Sequence, residues 1–190
     1  MKWDDKNLIK TLLKGGIVVM PTDTLYGIVG RAEDPRVVER IYKIRRRTLD
    51  KPCIILIRDV SELDKFHIDL SDKQKSTLKK YWSSSGGGSD TVSLILDCPE
   101  DKFSYLHRGT QTLAFRLPEK KELRDLLLKV GPLIAPSANI EGFSPAKSTE
   151  EAKKYFGESV DLYVDVGIIE SKASKIIKLE NDGSETVLRS

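Results

Sequence analysis

The stretch Ile17-Val18-Val19-Met20-Pro21-Thr22-Asp23-Thr24-Leu25-Tyr26-Gly27 decides how this chain is read. Its opening residues are apolar and mostly β-branched, the composition of a buried strand, and the run ends in a proline that has no N–H to give a ladder. Just beyond stand two hydroxyls, a carboxylate and a phenol. In open α/β sheets ligands gather at the carboxyl ends of strands, where the last side chains leave the core and face a crevice. Pro21-Thr22-Asp23-Thr24 is then the lip of a site. Pro, Thr and Asp are also common turn residues, so this stretch alone does not separate a site from an ordinary turn.

Upstream, Asn7 to Lys14 places Leu8, Leu12 and Leu13 on one side of a short helix that Gly15-Gly16 stops. A helix feeding a strand sets an α/β pattern. Downstream, Asp34-Pro35 caps a second helix with Val37, Val38 and Ile41 inward, and this helix runs into Arg45-Arg46-Arg47. Residues two apart do not share a helix face, so Arg45 and Arg47 converge on one anion only if the helix ends there. Thr48-Leu49-Asp50-Lys51-Pro52 supplies an end. Cations at a helix C-terminus also complement its dipole, which is a structural explanation for the same cluster.

Cys53 to Ile57 reads as a central strand, and Ser61 to Phe66 and Ser71 to Trp82 as helical segments. Ser83 to Asp90 has the composition of a flexible linker. Thr91 to Leu96 and Gln111 to Phe115 are expected strands, with Arg116 at the end of the second. A helix follows from Glu119 to Val130. Leu133-Ile134-Ala135 is a short buried strand that, like the first, ends in polar groups, here Pro136-Ser137-Ala138-Asn139. Ser148 and Glu151 have capping-box spacing. Strands at Asp161 to Val166, Lys175 to Leu179 and Glu185 to Arg189 close the chain, and Asn181-Asp182-Gly183 signals a hairpin between the last two.

The 190 residues are expected to form one domain, 1–190, with a real core; 39% hydrophobic and 32% charged residues exclude a disordered chain. No apolar run reaches the ~20 residues of a membrane helix and the N-terminus lacks the order of a signal peptide, so a cytoplasmic protein without a membrane partner is expected. The two cysteines, Cys53 and Cys98, read as buried thiols. With His67 and His107 the only histidines, no zinc spacing can be assembled. A net charge of +3 permits contact with nucleic acid without demanding it.

Taken together, these pieces resemble the YrdC-like family from Gly15 to Arg189. The resemblance is carried by Pro21 to Gly27, the basic element Arg45-Arg46-Arg47 with Lys51-Pro52, Arg116-Leu117-Pro118, Ala135 to Asn139, Ser144-Pro145, Asp165-Val166-Gly167, Ser174 and Leu188-Arg189. It implies a single α/β domain with a twisted mixed sheet, flanking helices and a large concave site. It also implies an L-threonylcarbamoyladenylate synthase, a nucleotidyltransferase joining ATP, L-threonine and bicarbonate, with Mg2+ on the phosphates and a tRNA-threonylcarbamoyl transferase machinery downstream. By the same resemblance Thr22, Thr24, Tyr26, Lys51, Arg116, Ala135 and Ser174 surround the threonine. Arg45, Arg47, Thr112, Ser137, Asn139, Ser144 and Arg189 hold the nucleotide, with Arg45 and Arg47 positioning the substrates. All reacting groups then come from the substrates, so arginines and hydroxyls are needed in place of a protein nucleophile.

Two positions depart from the family pattern. Arg45 stands where lysine is usual, and Ser83 to Asp90 replaces a Pro-Gly-Pro turn, from which a mobile loop and slower turnover are expected. The alternative function is a weakly active or non-enzymatic relative that binds double-stranded RNA or tRNA through backbone and shape. A serine hydrolase built on Ser137 or Ser174 lacks a Gly-x-Ser-x-Gly elbow, and Gly86-Gly87-Gly88 lacks the Gly-Lys-Ser/Thr ending of a P-loop.

Overall fold

In the computed structural model, which describes residues 3–48, 51–82 and 91–190, the opening stretch forms the first half of a hairpin. Strand β1 (Val18–Pro21) pairs antiparallel with β2 (Tyr26–Arg31), Val18 opposite Val29 and Pro21 opposite Tyr26. Thr22 to Leu25 is the turn, closed by Thr22 N–H donating to the Leu25 carbonyl at 2.9 Å. The second strand was not expected from the sequence, because Gly27 and Gly30 interrupt its apolar pattern. Gly30 is required by packing, since a Cβ there would lie 2.3 Å from Val37 Cγ1 on the helix above.

Along β1 the faces alternate as a two-residue period demands. Ile17 and Val19 join one core with α2 (Pro35–Arg45), while Val18 and Met20 join another with α1 (Lys6–Leu13) and α5 (Lys121–Val130). The helices sit where their caps and apolar stripes put them. Asp34 accepts from Arg36 N–H with Pro35 at the first turn of α2, and Ser148 accepts from Glu151 N–H at the start of α6 (Thr149–Phe156). The remaining helices are α3 (Asp72–Trp82) and the short α4 (Ser104–His107). Val60–Phe66 is a 3-10 helix, and the expected helix at Glu119 begins two residues later.

The sheet also contains β3 (Ile54–Leu56), β4 (Val92–Asp97), β5 (Thr112–Arg116), β6 (Leu133–Ile134), β7 (Leu162–Tyr163), β8 (Lys175–Leu179) and β9 (Glu185–Arg189). The order is β7-β1-β2-β6-β3-β5-β4-β8-β9 with parallel and antiparallel pairs, so the expected α/β fold with a mixed sheet and flanking helices is what forms. The 181–183 turn joins β8 and β9 antiparallel. The expected strand at Asp161 to Val166 shrinks to β7, because the chain leaves the sheet after Tyr163 to cross to β8. The linker-like Ser83 to Asp90 and the loop expectation attached to it lie outside the described residues.

This crossing shapes the molecule. In a flat sheet with strands ~4.8 Å apart, β2 and β9 would be separated by about 29 Å. Both nevertheless line one cavity of about 400 Å³. The sheet therefore curls into a concave face, and residues 164–174 form a strap over it, tied down by Ile169 N–H to the Lys147 carbonyl at 2.8 Å.

Candidate functional site

The cavity lies on that concave face, and the polar strand ends meet in its wall. Thr22, Thr24, Tyr26, Arg47, Thr112, Arg116, Ala135, Ser137, Ser174 and Arg189 all line it. Arg45, Lys51, Asn139 and Ser144 do not. The hydroxyls of Thr22 and Thr24 are 3.2 Å apart, and Thr22 Oγ1 also donates to the Leu25 carbonyl at 2.8 Å. Tyr26 turns its hydroxyl to the strap, donating to the Gly167 carbonyl at 2.9 Å and accepting Val166 N–H at 3.0 Å. Burial pushes its phenol pKa up, so it is a neutral wall group.

Three guanidinium groups face this space. Helix α2 ends at Arg45, and Arg46 takes a left-handed conformation with φ 50° and ψ 38° as its cap. The chain is thereby redirected, and Arg45 and Arg47 part company. Arg47 reaches the cavity while its Nε donates to the Lys51 carbonyl at 2.8 Å and its Nη2 to the Pro52 carbonyl at 3.1 Å. Arg45 is buried behind the wall, Nε donating to the Asn139 carbonyl at 3.0 Å and Nη2 to Asn139 Oδ1 at 3.1 Å. Burial, and then the charge of Arg47, lower its pKa to about 10, so it is still a cation at neutral pH.

Asn139 is fully engaged by this arrangement. Its Oδ1 accepts from Arg45 and from Ser137 Oγ at 2.6 Å, and its Nδ2 donates to the carbonyls of Ile140 at 2.9 Å and Phe143 at 2.8 Å. An asparagine whose donors and acceptors are all engaged has nothing left for a ligand. Arg45 and Asn139 thus form a staple that sets Ser137 in the wall. Lys51 is likewise turned outward, pairing with Glu141 at 2.8 Å, and the exposed Ser144 offers its carbonyl to Tyr155 at 3.0 Å.

The other two cations come from opposite parts of the sheet. Arg116, at the end of β5, has its side chain only 4% exposed beside Asp23, with Nη2 2.8 Å from Asp23 Oδ1. Burial lowers its pKa and the Asp23 charge opposes that shift. Arg189 is aimed inward from β9, where the pairing with β8 is irregular at Ile176/Ile177. Its Nε and Nη2 donate to the Ser174 carbonyl at 2.9 and 2.7 Å, and Ser174 Oγ is 2.9 Å from Ser93 Oγ. Its pKa is lowered by burial first and by Arg116 second, which places two cations within electrostatic reach of each other. Among the described residues no carboxylate belongs to the cavity wall, so the space is cationic and suited to an anion.

Sequence reasoning missed part of the wall. Thr110 lines it, held by donating to the His107 carbonyl at 2.7 Å, in a loop where Arg108, Gly109 and Gln111 all have positive φ. Nothing in a single Arg-Gly-Thr-Gln run signals that geometry. Ile95, Ala114 and Ile176 add an apolar side, and Cys53 lines the cavity as a thiol whose pKa burial pushes up. Among the described residues there is no group of three or more His, Cys, Asp or Glu able to hold a metal ion, and no helix long and apolar enough to cross a membrane.

Comparison with known proteins gives this site relatives. The family model Sua5/YciO/YrdC, described as "Telomere recombination", matches residues 10–190. A protein of Methanocaldococcus jannaschii is 32% identical over 176 residues, 92% of this chain and 80% of its own length. The threonylcarbamoyl-AMP synthase of Bacillus subtilis is 33% identical over 144 residues, 74% of this chain and 40% of its own length. The crystal structure of P. abyssi Sua5 complexed with L-threonine superposes over 100% of this chain with a TM-score of 0.84 at 25% identity. This chain spans 54% of that one, about half its length.

Proposed function

The chain belongs to the Sua5/YciO/YrdC family, and from that membership we propose that it is an L-threonylcarbamoyladenylate synthase. It makes threonylcarbamoyl-AMP and pyrophosphate from ATP, L-threonine and bicarbonate, and its product supplies the threonylcarbamoyl group of tRNA. The observation that carries the reading is a concave cavity lined by Arg47, Arg116 and Arg189 with threonine and serine hydroxyls between them. Relatives named threonylcarbamoyl-AMP synthase favour this reading over binding of double-stranded RNA.

The threonine amine takes up bicarbonate, losing water, to give a carbamate. A carbamate oxygen then attacks the α-phosphorus of ATP, and the bond from that phosphorus to the α,β-bridging oxygen breaks as pyrophosphate leaves with the electron pair. No protein atom forms a bond in either step. The chain's task is to hold two anions together and disperse their charge, for which the fixed fork of arginine is suited. Arg47 and Arg189, with Thr112 and Ser137, hold the nucleotide. Arg116, Thr22, Thr24 and Ser174 take the amino acid, Tyr26 and Ala135 shaping its wall. Arg45 and Asn139 act behind them by fixing Ser137, while Lys51 acts through the loop it closes and Ser144 through the segment leading to Pro145. Among the described residues the wall offers no carboxylates for Mg2+, so such an ion would be held by the phosphates of ATP, where it would offset their charge.

The direct test is to supply labelled L-threonine with ATP and bicarbonate and look for a product carrying both the amino acid and AMP. A product of that composition is expected. Labelled threonine that stays free while ATP is consumed overturns the reading.

A further inference from the structure

The buried pair Asp23 and Arg116 has a feature that the reaction above leaves unused. Asp23 lies in the turn between β1 and β2 with its side chain 3% exposed, and Arg116 Nη2 approaches its Oδ1 to 2.8 Å. The contact is a close ion pair: among the described residues neither Asp23 oxygen has a hydrogen-bond partner, and Arg116 Nε has none either. Arg116 Nη2 also donates to Thr22 Oγ1 at 3.4 Å. A carboxylate taken out of water and left without hydrogen bonds is destabilising, and hydrophobic replacement of such a pair often makes a protein more stable.

Its placement accounts for it. Arg116 faces the cavity, Asp23 does not, and the Arg116 charge is near enough to Arg189 to lower the pKa of that second arginine. Without a counter-charge behind it, Arg116 would be a desolvated cation repelled by Arg189 and free to turn toward the phosphates. We propose that Asp23 is a positioning residue that holds the Arg116 guanidinium on the amino-acid side of the cavity, where it receives the α-carboxylate of L-threonine. The proposal rests on the synthase reading of this cavity. Asp23 also divides the field: it cancels one cation near the amino acid and leaves Arg47 and Arg189 to the more highly charged nucleotide.

The consequence is a split between two ligands of the same cavity. Asp23→Asn keeps the side-chain volume and removes the charge. L-threonine binding, measured by calorimetry on the purified protein, is expected to weaken at least tenfold, with ATP binding unchanged or tighter because the cavity gains net positive charge. The thermal midpoint is expected to fall, since the variant leaves the buried Arg116 cation unpaired, and retained ATP binding shows that the protein is still folded. Asp23→Glu keeps the charge and is expected to bind threonine better than Asp23→Asn, and Asp23→Ser replaces the latter if it does not fold. Arg116→Lys weakens threonine binding as well, and adding Asp23→Asn to it costs little more, since the two act as a unit.

Loss of both ligands in equal measure, or unchanged threonine affinity in a folded Asp23→Asn protein, overturns the proposal. Wild-type protein in the same titrations, followed by pyrophosphate release, separates this from failure of the synthase reading. An active wild type with no split between ligands sinks only the role of Asp23, whereas a wild type that binds neither ligand sinks both.

Discussion

Arg45 and Arg47 stand two residues apart in the sequence and perform different tasks, because the left-handed Arg46 between them ends the helix. Arg47 is the member that faces the cavity, so Arg47→Ala is expected to weaken ATP binding by about 1.5–3 kcal/mol, the range for a lost charge-assisted hydrogen bond. Calorimetric titration with ATP checks this, and unchanged affinity would return the arginines to a dipole-capping role. The convergence condition was legible in the sequence; which arginine would reach the ligand was not, since it depends on Asn139, far along the chain, being there to bury Arg45. Asp23 was legible only as a carboxylate in a polar turn, because its partner Arg116 is brought to it by the curl of the sheet.

Glu141 belongs to the same scale. It accepts from Lys51 Nζ at 2.8 Å, from Thr48 Oγ1 at 2.8 Å and from Thr48 N–H, tying down the segment that supports Arg47. The Lys51 hydrogen bond first, and the Thr48 bonds next, hold its pKa at about 2 against an ordinary 4.5. A carboxylate lowered on folding stabilises fully above its unfolded pKa, and that contribution is lost as pH falls through the folded value. Wild type and Glu141→Gln should therefore differ in thermal midpoint at pH 6 and converge between about pH 4.5 and pH 2. A difference constant across that window would show that the Glu141 charge is not what closes the segment.

At the scale of elements, the hairpin β1–β2 and the strap 164–174 build the cavity from opposite sides. The helix α2 packs directly on β2 at Gly30, where a Cβ would meet Val37 Cγ1 at 2.3 Å. Gly30→Ala is expected to lower stability by about 1–3 kcal/mol through overpacking, read as a drop in the thermal midpoint; a midpoint equal to wild type would mean that α2 can shift freely. Strand β1 was legible because its apolar run is unbroken, and the capped helix α2 because Asp34-Pro35 announces it. Strand β2 was hidden by the glycines that its packing requires. The strap could not be read at all, since nothing local tells a chain that the next strand lies across six others.

For the whole molecule, the curled sheet and its strap explain why groups from residue 22 to residue 189 line a single cavity. The fold class and the polar strand ends could be read from local patterns; the closure that makes them one site is a property of the strand order. The central claim is that this cavity joins three substrates without a protein nucleophile. It is tested most directly by the initial rate of pyrophosphate release with each substrate omitted in turn. The account predicts release only when ATP, L-threonine and bicarbonate are all present; release from ATP alone, or at the same rate without threonine or bicarbonate, would contradict it.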